Sequence, residues 1–308
     1  MRILVVGAGG QVGSKVSHRA SQKGHSVVGT FLTRRPSDIE AEYQMDKTKR
    51  DQVQRVVSEA KPDVIVDTGA LHNVDYCEEH PEEAFSVNRD GTEYLAAESK
   101  VCGARYIYVS TDYVFDGFAA PYSEESNTAP LSVYALSKIQ GEQNALYFNS
   151  QNAVVVRPSV IYSWVTDSKQ KQSSSSGKPL NFAVWLVNQL IANKEVKIVD
   201  DQVGSPTLAD DLAGAIIALC ESKATGVFHT AGATPVNRYD FSVKIAQKLG
   251  LKESLIHPVK TSALVQKARR PLNSSLLSER IRNEVRYNMM ALDNALEIFQ
   301  SQCKADLL

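Results

Sequence analysis

Apolar and polar positions alternate in blocks through the first half of the chain, and the lengths of those blocks predict strands and helices by turns. Residues 3–6 are a short apolar run, glycines follow at once, and a helical rhythm then carries Val12 and Val16 toward one face. A second run, HSVVGTF at 25–31, predicts the next strand. A helix is expected around 50–60, a strand at 64–66, a helix near 81–102 and a strand at 106–109. The helix that opens on YALSK runs to about 148, and AVVVRPSVIY at 153–162 supplies a further strand. Alternation of this kind predicts an α/β fold, a doubly wound parallel sheet of the Rossmann type with helices on both faces. A ligand is then expected at the carboxyl ends of the strands, where Gly7, Thr68, Thr111 and Pro158 fall.

The pattern loosens after Tyr162. Residues 166–178, TDSKQKQSSSSGK, are polar and low in complexity, and read either as a solvated surface loop or as a mobile lid. A helix is expected over about 181–193 and a strand at 196–199, and Pro206 with the Asp210–Asp211 pair marks the start of another amphipathic helix. The C-terminal third reads as a smaller substrate-binding domain with a strand or two returning to the sheet. The division expected is 1–162 with about 208–230 for the nucleotide-binding domain, and about 163–207 with 231–308 for the smaller one.

At 308 residues and 33.8 kDa the chain can bury a full core. Its 43% hydrophobic and 22% charged content, with a net charge of −1, is that of an ordinary soluble protein, and no basic excess argues for nucleic acid. No stretch approaches a membrane span, and the apolar part of MRILVVGAGG is too short for a signal peptide. Cys77, Cys102, Cys220 and Cys303 lie far apart without CxxC or Cys/His metal spacing, and read as reduced thiols of a cytoplasmic protein. No metal site is evident.

The chemistry concentrates at two places. GAGGQVG at 7–13 sets Gly7, Gly10 and Gly13 three apart, with Gln11 and Val12 inside the turn, between a strand and a helix. That is the context of a dinucleotide fingerprint: glycine permits the tight turn and lets backbone approach a pyrophosphate at the positive end of the helix. At the end of the second strand, where an acidic residue commonly takes the ribose hydroxyls of NAD, stand Thr30 and Phe31, followed by Arg34 and Arg35. Two guanidinium groups suit a 2′-phosphate, so NADPH is expected, with NADH as the alternative. The second place is STDYVFDG at 110–117 with VYALSK at 133–138. Tyr134 and Lys138, four apart on a helix, share one face, and Thr111 ends an apolar strand. The pair alone is a weak signal, since a half-buried tyrosine beside a solvated lysine has the same spacing. Combined with the glycine turn it is equipment for moving a proton while a cofactor moves a hydride. Lys138 is expected to lower the proton affinity of the Tyr134 phenol, and Thr111 to hydrogen-bond the oxygen of a reacting carbonyl.

Together these blocks resemble a known family, the extended short-chain dehydrogenase/reductases of the dTDP-4-dehydrorhamnose reductase type. The resemblance covers nearly the whole length. It also takes in NVDYCEEHPEEAFSVN at 73–88, PLSVYALSK at 130–138, DQVGSPT at 201–207, DLAGAI at 211–216 and ARRPLNSSL at 268–276. The helper subunit of methionine adenosyltransferase shares many of these blocks. The resemblance implies Thr111, Tyr134 and Lys138 as the catalytic set, Lys138 also binding the nicotinamide ribose. It further implies Asp46 near the adenine, Gly69 and Ala70 along the cofactor, Pro158 near the nicotinamide amide, and Asp112, Val114 and Arg270 on the nucleotide-sugar side. The family is described as Mg-dependent and dimeric, and no local spacing shows either. Two departures touch substrate identity: Gly69-Ala70 and Leu71-His72 stand where the family usually has Ala-Ala and Tyr-Thr, and the segment at 163–179 is unlike its compact loop.

The implied reaction is reduction of the 4-keto group of a nucleotide-linked 6-deoxysugar. A nucleotide-sugar epimerase or dehydratase is a rival, against which the arginines after the second strand and the absence of an acidic pair beside Tyr134 both count. A third reading is an NADP-binding regulatory subunit. His72 is the histidine nearest the expected pocket, whereas His18, His25 and His80 read as surface or edge residues.

Overall fold

A computed structural model describes residues 1–37, 39–164 and 181–307. Its strands are β1 (Arg2–Val6), β2 (Ser26–Phe31), β3 (Ala41–Gln44), β4 (Val64–Asp67), β5 (Arg105–Val109), β6 (Ala153–Arg157), β7 (Ser159–Tyr162), β8 (Val196–Val199), β9 (Val203–Gly204), β10 (Pro206–Leu208), β11 (Gly226–His229), β12 (Val236–Asn237) and β13 (Ile256–Val259). Among the described residues seven of these form one sheet, in the order β11-β6-β5-β4-β1-β2-β3. Every pairing in it is parallel. The chain thus starts at the middle of the sheet, winds outward to one edge, then returns and winds to the other.

The helices are α1 (Gln11–Gln22), α2 (Arg50–Ala60), α3 (Val74–Glu79), α4 (Pro81–Phe85), α5 (Gly91–Val101), α6 (Val133–Phe148), α7 (Phe182–Ile191), α8 (Ala209–Glu221), α9 (Arg238–Leu249) and α10 (Leu292–Leu307). Alternate residues of each central strand serve opposite layers, as a period of two requires. Ile3 and Val5 pack with Val16 and Ala20 of α1 and with Leu212, Ile216 and Leu219 of α8. Leu4 and Val6 pack on the other face with Val53 and Val56 of α2, Leu95 of α5 and Ala145 of α6. The predicted α/β doubly wound sheet is therefore the fold.

Two expected elements divide. The helix expected over 81–102 is α4, a wide π turn over Ser86–Asp90, and α5. The wide turn leaves the Asn88 carbonyl to accept from the Tyr108 hydroxyl at 3.1 Å, while its buried amide exchanges bonds with the backbone of Leu71, both at 3.0 Å. The strand expected over 153–162 breaks at Pro158, which has no N–H to continue the ladder. β6 stays in the main sheet, whereas β7 leaves it to pair with β10.

Beyond this break lies a second core. Tyr162 and Trp164 pack with Leu186 of α7, Ile198 of β8, Phe241 of α9 and Phe299 of α10, Phe299 meeting both rings edge-on at 5.6 and 5.8 Å. The Ser-rich stretch expected at 166–178 lies outside the described residues.

Candidate active site

The glycine turn joins β1 to α1. Gly7 has φ +77, a conformation that a side chain disfavours, and a Cβ on Gly13 would stand 2.2 Å from the Gly7 carbonyl oxygen. Gly10 caps α1 in an extended conformation with no side-chain hydrogen bond, and the first turn holds no acidic residue. The leading N–H groups of the helix therefore face the turn as an anion-binding end, with Gln11 and Val12 as its first residues. From the loop after β2, Arg34 closes over this turn, its Nη1 donating to the Gly9 carbonyl at 3.2 Å. Arg35 stands further out, 74% exposed, paired with Glu42 at 2.8 Å and lying over the Phe31 ring. A turn with no room for a Cβ at Gly9 or Gly13, an uncapped helix end and two neighbouring guanidiniums fit a phosphorylated dinucleotide.

Asp46 is turned inward on its own loop, its Oδ1 accepting from the N–H and hydroxyl of Thr48 at 2.9 and 2.8 Å. At the end of β4, the Thr68 hydroxyl donates to the Val6 carbonyl at 2.7 Å, which ties the turn through Gly69 and Ala70 to the glycine turn.

Beside these, β5 runs into Thr111, which caps the short 3-10 turn Asp112–Val114 by accepting from the Tyr113 N–H at 3.2 Å. Helix α6 starts at Ser132, whose hydroxyl accepts from the Ala135 N–H at 3.2 Å. Its inner face presents Tyr134, Lys138, Gly141 and Glu142. A Cβ on Gly141 would stand 2.3 Å from the Asn88 carbonyl oxygen and 2.4 Å from the Tyr108 hydroxyl, so glycine there lets α6 lie close on the sheet layer. Tyr134 is buried beside the Thr111 hydroxyl, which lowers its pKa, and it meets the ring of Tyr113 edge-on at 6.2 Å.

Thr111, Tyr134 and Lys138 do converge at the carboxyl end of β5. The electrostatic expectation, however, needs correcting. Burial pushes the Tyr134 phenol well above its ordinary value, and the Thr111 hydroxyl opposes that shift. The Lys138 ammonium turns toward β5, donating to the Val109 carbonyl at 2.7 Å and standing 4.1 Å from the centre of the Tyr108 ring. It is itself lowered to about 7, by burial first and then by the charge of Lys47, while Asp67 and Glu142 oppose the shift. Burial thus favours the protonated phenol at Tyr134 and brings Lys138 down toward neutrality.

On the substrate side, Asp112 is buried with both oxygens engaged: Oδ2 accepts from Ser159 at 2.8 Å and Ser274 at 2.5 Å, and Oδ1 from Thr111 at 3.2 Å. Val114 is wholly buried with Phe115, Tyr122 and Leu276. Arg270 is paired with Asp75 of α3 at 2.9 Å and only 11% exposed, which is a partly buried bridge rather than a surface one. His72 is exposed, and the protein packed around it lowers its pKa by desolvation.

Several residues here drew no notice in the sequence. Glu142 and Arg157 form a buried pair at 2.6 Å, and Ser110 donates to the same carboxylate at 2.5 Å. Arg238, at the start of α9, opposes with its charge the rise that burial imposes on the Tyr113 phenol. A buried acid and a strand-end arginine within apolar runs were the available signals, since such charges are seldom buried unpaired. Among the described residues no three His, Cys, Asp or Glu side chains come together to hold a metal ion, and Mg²⁺ finds no ligand set in them. None of their helices is long and apolar enough to cross a membrane. The four cysteines form no disulfide with one another.

Comparison with known proteins bears on this site. A family profile described as RmlD substrate binding domain matches residues 1–304. The dTDP-4-dehydrorhamnose reductase of Mycobacterium tuberculosis is 32% identical over 283 residues, 90% of this chain and 85% of that one. Methionine adenosyltransferase 2 subunit beta of Bos taurus is 30% identical over 285 residues, 91% of this chain and 81% of that one. Among solved structures, a dTDP-4-dehydrorhamnose reductase from Clostridium acetobutylicum superimposes with a TM-score of 0.86 at 29% identity, over 99% of this chain and all of that one (100%). The enzyme of the same name from Bacillus anthracis, solved in complex with NADP, gives 0.82 at 28% identity, over 97% and 98% of the two chains. With a glycine turn, a Thr–Tyr–Lys set and a family match that runs almost end to end, the chain belongs to the RmlD substrate binding domain family, the dTDP-4-dehydrorhamnose reductase group of the extended short-chain dehydrogenase/reductases.

Proposed function

We propose that this protein is an NADPH-dependent oxidoreductase that reduces the 4-keto group of a nucleotide-linked 6-deoxysugar, of the dTDP-4-dehydro-L-rhamnose to dTDP-L-rhamnose type. The observation that carries the reading is the meeting of a protonated, buried Tyr134 with Thr111 at the end of β5, one strand away from the β4 turn that is tied to the glycine turn. The bound dinucleotide supplies the hydride. Gly7, Gly10, Gln11, Val12 and Gly13 hold its pyrophosphate, Arg34 and Arg35 its 2′-phosphate, and Asp46, Gly69 and Ala70 line the rest of its length.

Tyr134 gives its proton to the alkoxide that develops at C4, and Thr111 hydrogen-bonds the same oxygen as its charge grows, where a preorganised donor counts most. Lys138, its ammonium held toward β5 by the Val109 carbonyl, binds the nicotinamide ribose. Arg270 leaves Asp75 to meet the substrate diphosphate, and Asp112 and Val114 back the sugar site from within. We assign the nucleotide to a domain of 1–162 with about 208–230, and the sugar to one of about 163–207 with 231–308.

The test is NADPH oxidation by the pure protein given dTDP-4-dehydro-L-rhamnose. Turnover is expected, and Tyr134→Phe should lower kcat by about 10²–10⁴-fold while leaving NADPH affinity nearly unchanged. A second reading, an NADP-binding regulatory subunit, is favoured by the similarity to the bovine subunit beta. Tight NADPH binding without turnover, together with capture of a methionine adenosyltransferase catalytic subunit, is its expected result and would sink the first.

A further inference from the structure

Below the carboxyl ends of β4 and β5 lies a charged cluster with no part in the steps above. Lys47, in the loop after β3, is paired with Asp67 at the end of β4 at 2.5 Å, their side chains 7% and 0% exposed. The Lys47 ammonium also donates to the Gly69 carbonyl at 3.0 Å and reaches the Thr92 hydroxyl at 3.5 Å. The Asp67 carboxylate is completed by the Tyr106 hydroxyl at 3.0 Å and the Gly69 N–H at 3.1 Å. Room is left for the lysine stem, because Gly91 has no Cβ: one there would stand 2.8 Å from the Lys47 Cε.

A buried ion pair loses much of its attraction to desolvation, so stability alone is a weak reason for one. Here both partners bond the same residue, Gly69, from its two backbone groups, and so hold the turn that borders the cofactor site. Asp67 also stands opposite Tyr108 in the sheet, and the Lys138 ammonium lies 4.1 Å from the centre of that ring. The charged or titratable groups around that ammonium are Lys47 from the β3 loop, Asp67 from β4, Glu142 from α6, Tyr108 from β5 and His72 from the turn beyond Ala70.

We propose that Lys47 and Asp67 are positioning residues of this site, clamping the turn through Gly69 from below and jointly setting the electrostatic field in which Lys138 works. The inference rests on the reading of Lys138 as the site's cation, and is independent of which sugar is reduced.

Lys47 disfavours a proton on Lys138 and Asp67 favours one. The two substitutions should therefore act in opposite directions. The full chain, labelled at lysine side chains, is titrated by NMR, and the Lys138 signal is assigned with Lys138→Arg. Lys47→Met is expected to move its midpoint up and Asp67→Asn to move it down. Unmoved midpoints, or two shifts of the same sign, overturn the proposal. If either single variant fails to fold, the double variant Lys47→Met/Asp67→Asn buries no unpaired charge and carries the clamp test: hydrogen exchange at Gly69 to Leu71 should quicken in it, and unchanged exchange overturns the proposal. The clamp is read separately: hydrogen exchange at the amides of Gly69 to Leu71 should quicken in Lys47→Met, and unchanged exchange rules the clamp out. Neither readout needs turnover, so a protein inactive on the keto-sugar leaves this test intact.

Discussion

Lys138 is where burial and chemistry meet most directly. An ordinary lysine holds its proton to 10.5, and this one is lowered to about 7 by burial and by Lys47. Between those two values the unfolded chain binds a proton at this position that the folded chain does not. Stability contributed here is therefore lowest below about pH 7 and rises as the pH climbs from there toward about 10. Urea unfolding of the wild type and of Lys138→Met at about pH 7 and about pH 9.5 checks the sign: the gap should move in favour of the wild type at the higher pH. Buried groups with internal partners behave differently. Arg157 and Glu142 satisfy one another at 2.6 Å, and Arg157→Met should cost about 3–5 kcal/mol by leaving the carboxylate alone in the interior.

At the scale of elements, α6 decides whether the site assembles, because it carries both Tyr134 and Lys138 from a single cap. Ser132→Ala removes the hydroxyl that accepts from Ala135 and should cost about 1 kcal/mol in denaturant midpoint at unchanged slope. Gly13→Ala meets a harder obstacle, since its Cβ would stand 2.2 Å from a backbone oxygen of Gly7. That change should weaken NADPH binding more than it weakens the fold, measured by fluorescence titration beside thermal melting.

The elements were legible where a local pattern suffices. β1, α1, β2, β4, β5, α6, α7 and β8 follow their apolar periodicity to within a few residues. The shorter strands did not announce themselves. β9 and β12 are two residues each, and β10 is three; each exists through partners remote in sequence. The π turn at Ser86–Asp90 was hidden for a related reason, as it answers to Leu71 and Tyr108 rather than to its own residues. At the site, the glycine turn and the Tyr134–Lys138 spacing were readable because both are written in consecutive residues. The direction of the Lys138 ammonium was not, for it depends on the Val109 carbonyl across the sheet. Lys47 and Asp67 were invisible singly, and only their contact in the interior gives them meaning.

At the scale of the whole molecule two cores meet along β7 and β10. The larger one has strands from both halves of the chain, β11 pairing with β6 at the far edge of the sheet. The smaller one closes on Phe299, which meets Tyr162 and Trp164 edge-on. Phe299→Ala should cost about 3–5 kcal/mol by opening a cavity there, seen as a lower melting temperature, while Ser301→Ala on the exposed side of α10 should be nearly neutral.

That closure has a consequence for how the protein is made. A ribosome delivers β1 to β6 long before it delivers α10, and domains tend to fold as units from the N-terminal end during synthesis. Until Phe299 emerges, the rings of Tyr162, Trp164 and Phe241 have no lid. A nascent chain stalled just before residue 292 is thus a finished sheet carrying a sticky patch, the kind of surface that chaperones hold and that aggregation seizes when they do not.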